Sequence, residues 1–356
     1  MTNSNPSEEG EVDLPPSTVP ATTQLHLLNL HDDPDWNGRF QAALIDIVVA
    51  CGRFMDLRLL DGLTVGSDYD AALASVDLGY ESSIAKGYTN SGGLVGVGKI
   101  LRVKREGAMK AHVVLDANYL GGLVEPDGEE FWPTANIVAH ELAHVAVTAW
   151  FEEHSPGVML APYSGDWATF ALRDAAHTIW EEYAACRLSS PISRGEYETA
   201  RYSESLALSL KGAVNRAREC IKAYRTHHDV SQLLVETTRA IAEPLKIAAY
   251  LIGHTDGVGD QREIGEICQE AGESELLKHL APLRQSLQQA WESRHSWNGL
   301  EGVDPIVRVI LAVLTEAGAY VTLRDDPPGS RVDVPFSAET MPNGEVDMIK
   351  IQLQKI

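Results

Sequence analysis

The chain has 356 residues, with 44% hydrophobic and 22% charged side chains, the balance of a soluble globular protein with room for a large core. Fifty-one acidic residues against 29 basic ones leave a net charge of -22, which disfavours binding to a phosphate backbone. No apolar run reaches the ~18 residues needed to span a bilayer, so neither a nucleic acid nor a membrane is expected as a partner.

Residues 1–24 are polar and acidic, with no basic n-region and no apolar h-region. They read as a disordered tail and not as a signal peptide. The four cysteines (Cys51, Cys186, Cys220, Cys268) show no C-x-x-C pairing and lie in apolar helical patterns. Buried free thiols and a cytoplasmic location are the expectation.

The first element is a helix over 35–54, where Phe40, Leu44, Ile47, Val48 and Cys51 recur at helical spacing behind a cap at Asp33 or Asp35. Strands are expected at 57–65, 94–103 and 111–115, the last two as a hairpin around Arg105-Glu106-Gly107. The glycine-rich run at 91–98 lacks the Lys-Ser/Thr ending of a phosphate loop and reads as a loop entering a strand. A helix starting near Pro133 and ending before Ser155-Pro156-Gly157 follows, then a second from Asp166, its N-cap, to Leu188.

Further helices are expected over 195–224, 230–252, 273–292 and 305–323. Gly253 to Gly257 should be a helix stop and polar loop, and His227-His228 a C-cap. Residues 332–336 and 346–353 should close the chain as a small hairpin. The expected fold is α+β. A sheet with an active-site helix fills a core over 25–190, a mostly helical region covers 191–325, and a terminal hairpin covers 326–356.

The chemistry concentrates in the helix near Pro133. His140-Glu141-Leu142-Ala143-His144 puts two imidazoles one turn apart on one helix face, where both can reach one metal ion. Glu141 sits about 100° round the helix, beside the position such an ion would leave open. The neighbours are apolar, so three polar side chains cluster in a helix that must be buried, which costs several kcal/mol unless something satisfies them. Zinc suits nitrogen and carboxylate donors in a tetrahedral shell.

Two histidines need a third protein ligand. A histidine in the run H-E-x-x-H-x-x-G-x-x-H is absent, since Trp150 stands where that pattern wants it. The next helix offers Glu182, Glu181 and His177. Glu182 lies on the small and apolar stripe of Ala171, Ala175, Ile179 and Ala185, which suits close packing on the metal helix. Glu181 shares a wetter face with His177 and Asp174, so Glu182 is favoured and Glu181 is expected in a surface ion pair.

His140-Glu141-x-x-His144 followed some forty residues later by Glu182-x-x-Ala185 resembles the gluzincin branch of the zincin metallopeptidases. The resemblance covers about 94–188. It implies zinc held by His140, His144 and Glu182, with Glu141 as the general base that activates a zinc-bound water against a peptide bond. Cys186 departs from the pattern, because the family usually has a polar residue there, often Asp, orienting a ligand histidine.

Tyr163, Tyr183, His154, His177 and Arg187 are the candidates to stabilise an oxyanion. A strand at 111–115, if at the sheet edge, could hold an extended peptide or protein substrate. The competing readings are a zinc hydrolase of a non-peptide amide and a non-catalytic regulatory or binding protein with a structural metal.

Overall fold

The computed structural model describes residues 14–82, 86, 96–161, 165–268 and 274–354. The glycine-rich run at 91–95 and Tyr163 lie outside them. Strand β1 (Gln24–Leu28) leads into helix α1 (Pro34–Cys51), β2 (Leu60–Gly66), the short α2 (Tyr69–Ser75) and the hairpin β3 (Gly98–Arg105) and β4 (Ala108–Asp116). Asp33 caps α1, accepting from the Asp35 N–H. The long α3 (Phe131–His154) and α4 (Trp167–Ser189) come next, the latter capped by Asp166, which accepts from the Thr169 N–H.

The second half is helical: α5 (Glu196–Leu210), α6 (Ala213–His227), α7 (Val230–Val258), the one-turn α8 (Ile264–Ile267), α9 (Leu280–Ser293) and α10 (Asp304–Ala317). A hairpin, β5 (Tyr320–Asp325) and β6 (Pro328–Asp333), precedes the last helix, α11 (Glu345–Leu353). The fold is α+β with a helical C-terminal region.

The main sheet has the order β1-β2-β4-β3. Its first three strands are parallel, and β3 alone runs antiparallel at one edge. One face packs α1 and α3 around a core that includes Phe40, Leu63, Val113, Val138 and Leu142. The other face is covered by α2 through Tyr69, Leu73, Leu101 and Val114. A second, larger core joins α4 to α7, α9 and α10. Helix α3 is apolar on most sides because it lies between the two cores, with Leu142 in one and Val147 and Phe151 in the other.

Several expectations need correction. Residues 111–115 belong to β4, an interior strand; the outermost strands of the sheet are β1 and β3. The terminal hairpin is β5–β6, and the segment expected as its second strand forms α11. The expected tail reaches less far, since Thr18 Oγ1 bonds the carbonyls of Gly52 and Met55 and accepts from the Leu57 N–H.

The single helix expected over 195–224 breaks at Gly212, where φ is 67°. Gly253 to Gly257 is no helix stop but lies within the last two turns of α7, which runs on to Val258. Added Cβ atoms there would collide with the Tyr183 carbonyl at Gly253 and with Ser190 and the Arg187 carbonyl at Gly257. These glycines let α7 lie directly on α4. The His228 expectation stands: in the left-handed region, it closes α6 with its N–H on the Tyr224 carbonyl.

No described helix is long and apolar enough to cross a membrane. The cysteines are free thiols, with Cys51, Cys186 and Cys268 buried.

A candidate metal centre

Helix α3 carries His140, Glu141 and His144, and α4 crosses it so that Glu182 faces both imidazoles. Glu182 Oε2 lies 3.3 Å from His140 Nε2 and 3.3 Å from His144 Nε2, and the two Nε2 atoms are 3.2 Å apart. These three residues form a group that could hold a metal ion.

The spacing tests the fit. Donor atoms about 2.0 Å from a tetrahedral zinc are about 3.3 Å from one another. The observed triangle has that edge. Glu182 Oε2 is buried and has no hydrogen-bond partner beyond its 3.3 Å approaches to the two imidazoles. Three atoms able to act as ligands converge on one point, where a metal ion, or a proton carried by one of the imidazoles, would satisfy them. Without a metal, a proton does this work. Burial drives the Glu182 carboxyl up, but the two histidines outweigh it and hold it well below the carboxylate range. Burial lowers His144, yet its bond to Glu182 and the surrounding carboxylates raise it to about 9.

Glu141 is 8% exposed and lies beside the trio without joining it. Burial lifts its carboxyl, the two histidines pull it back, and Glu182 lifts it further, leaving it above its ordinary value. Its side chain packs on Gly98, the first residue of β3. A Cβ there would come within 2.8 Å of Glu141 Oε1, so glycine makes room for the acid at the sheet edge.

Glu181 points away from the trio, to Arg102 on β3 at 2.9 Å and to His177 at 3.5 Å. The expected ion pair is present, but the expected wet face is not: the Glu181 side chain is only 17% exposed. His177 is buried against Phe151 and Trp180 and is not in the metal group.

Three of the oxyanion candidates are engaged elsewhere. Tyr183 Oη donates to Asp256, and Arg187 donates to Tyr183 and stacks on Trp291. His154 Nδ1 lies 2.9 Å from the Trp150 carbonyl.

Sequence reasoning missed Tyr250 of α7, whose ring stacks on His140 with centroids 5.6 Å apart and planes at 21°. Burial and then the charge of Glu182 push its phenol far above the ordinary range. Periodicity could only have marked it as one residue of a buried helix, because its partner is more than a hundred residues earlier.

A second histidine array lies on the opposite sheet face. His112 Nδ1 is 3.0 Å from Asp61 Oδ2, and His112 Nε2 is 2.9 Å from Thr64 Oγ1. The order Thr-His-Asp is that of a nucleophilic triad. Thr64 is 2% exposed, however, and closed to a substrate. Asp61 also accepts from Nε and Nη2 of Arg105, one to each carboxylate oxygen, so the array is a satisfied structural relay tying β2 to β4.

Compared with protein-family models, curated proteins and solved structures, the chain finds no match in any of the three.

Proposed function

We propose that this protein is a zinc-dependent peptide-bond hydrolase of zincin type. The observation that carries the reading is the 3.2–3.3 Å triangle of His140, His144 and Glu182 with a buried carboxylate, Glu141, beside it. Among the described residues three donors converge and not four, which favours a working site with an open position over a closed structural one.

A bound zinc would supply Lewis-acid polarisation of the scissile carbonyl and of water. Glu141 is the general base. It takes a proton from the attacking water and returns it to the leaving amine, and its burial moves its basicity toward neutrality, where proton transfer in both directions is efficient. Glu182 neutralises charge and fixes the two imidazoles.

Strand β3 replaces the expected 111–115 as the edge that holds an extended peptide. Its outer side is partly covered, since the Tyr80 hydroxyl donates to the Arg102 carbonyl and the Lys104 N–H to that of Leu78. With the two-residue alternation of a strand, Gly98 and Ile100 face the same way. Gly98 lies against Glu141, so a peptide running along this end of β3 would pass the site.

The test is hydrolysis of a mixed peptide library by the zinc-loaded protein, read by mass spectrometry. Cleavage should vanish with chelator, return with zinc and be absent in Glu141→Gln. Cleavage that survives chelation and Glu141→Gln alike would overturn the reading.

A further inference from the structure

The inference concerns what holds His140 in place, and it rests on the zinc reading above. Helix α4 supplies Glu182 and, one turn later on the same face, Cys186. Cys186 Sγ lies 3.6 Å from His140 Nδ1 and 3.9 Å from Tyr202 Oη. Tyr202 stacks on Tyr250, and Tyr250 stacks on His140. The ring of His140 is therefore fixed on its face by an aromatic and at its far nitrogen by a sulfur. His144, at 4.8 Å and nearly perpendicular, bounds it on the third side.

We infer that Cys186 is the positioning residue for His140: its sulfur accepts the Nδ1 proton and thereby sets the tautomer that aims Nε2 at the metal. The proton count is consistent along the chain. With Nε2 given to the metal, the ring proton of His140 would sit on Nδ1, which faces Sγ at 3.6 Å. The thiol's own proton points at the Tyr202 oxygen.

At 1% exposure Cys186 is closed to oxidants and alkylating reagents, so its service is structural support of a ligand and not redox chemistry. A metal-bound histidine usually leans on a carboxylate or a carbonyl. A sulfur in that place adds no negative charge near the ion, where Glu141 and Glu182 already stand.

The experiment measures zinc affinity of the full chain by competition with a chromophoric chelator, for wild type, Cys186→Ala, Cys186→Ser and Cys51→Ala. Cys51 is an equally buried thiol on α1 and reports general loosening. Cys186→Ala should bind zinc about 10–100-fold more weakly. Cys186→Ser, which can accept and donate in the same order, should recover most of that loss, and Cys51→Ala should match wild type. With Co2+ in place of zinc, the visible bands should shift in Cys186→Ala and return in Cys186→Ser.

In the zinc-loaded wild type, 15N-imidazole spectra should show a slowly exchanging proton on His140 Nδ1. This needs no variant to fold. An unchanged affinity in Cys186→Ala, an equal loss in Cys51→Ala, or a His140 proton on Nε2 would overturn the inference while leaving the zinc site standing. A wild type that takes up neither Zn2+ nor Co2+ would remove the site and the inference together.

Discussion

The two faces of the main sheet each carry histidine and carboxylate in contact, and they differ in one respect. On the α2 face, each nitrogen of His112 meets an oxygen of Asp61 or Thr64, and Asp61 has Arg105 as a further partner. On the α3 face, three atoms able to act as ligands face one another, and the Glu182 oxygen among them has no hydrogen-bond partner beyond the two imidazoles. Buried polar groups are normally satisfied, and an exception asks for an explanation. Residue type therefore does not separate a structural relay from a functional site here; the balance of donors and acceptors does.

The sharpest way to break this contrast is Glu141→Gln. It should lower peptide hydrolysis by about 100-fold or more while zinc content stays stoichiometric. Activity close to wild type would remove the proton-transfer role.

Next come the ligands. His140→Ala, His144→Ala and Glu182→Ala should each abolish stoichiometric zinc at micromolar metal, read by elemental analysis. Glu181→Ala should keep it. Because Arg102 loses a partner in a poorly exposed place, Glu181→Ala should instead destabilise the fold by about 1–3 kcal/mol in urea unfolding. The reverse ranking of the two glutamates in zinc titration would move the ligand to Glu181.

His112→Ala gives the opposite signature to the ligand variants. Zinc binding should be unchanged and stability should drop by about 2–4 kcal/mol, from the cavity and the unpaired Thr64 hydroxyl. Loss of zinc in this variant would mean that the two faces are not independent.

Smallest in effect, and most direct, is the titration of the metal-free protein by NMR. His144 should titrate near 9, because Glu182 outweighs burial. His112 should titrate below its ordinary value, because burial outweighs Asp61. The signs are opposite. Raised above its unfolded value, His144 contributes stability fully present below about pH 6.5 and lost as pH rises through about 9. Depressed below its unfolded value, His112 withdraws stability as pH falls below about 6.5. Coincident midpoints for the two would erase the distinction.

Much of the site was legible because it is local. His140, Glu141 and His144 lie within five residues, and the apolar residues around them already implied burial. The phase of one helix favours Glu182 over Glu181, but the burial contrast behind that expectation fails, since the two side chains are 15% and 17% exposed. What separates them is direction, Glu182 to the histidines and Glu181 to Arg102. What was not legible depended on pairing across distance. Sheet order cannot be read from one strand, so β4 passed for an edge and β1 was not seen. The true neighbours of Glu181 and His140 include Arg102, 79 residues away, and Tyr250. Gly253 and Gly257 look like punctuation in a sequence, yet they are the contact points of two helices.

The stacking of Tyr250 on His140 has a consequence for a chain still on the ribosome. Tyr250 follows His144 by 106 residues (250 − 144). At about 5–20 residues per second, the floor of the site is made roughly 5–20 seconds before its wall. During that interval the nascent polypeptide holds the complete ligand set only after Glu182 emerges, and it holds His140 in register only after α7 docks. Under the proposed function, a site assembled in this order is incomplete while the surrounding nascent chains, its own included, are unfolded and most easily cut.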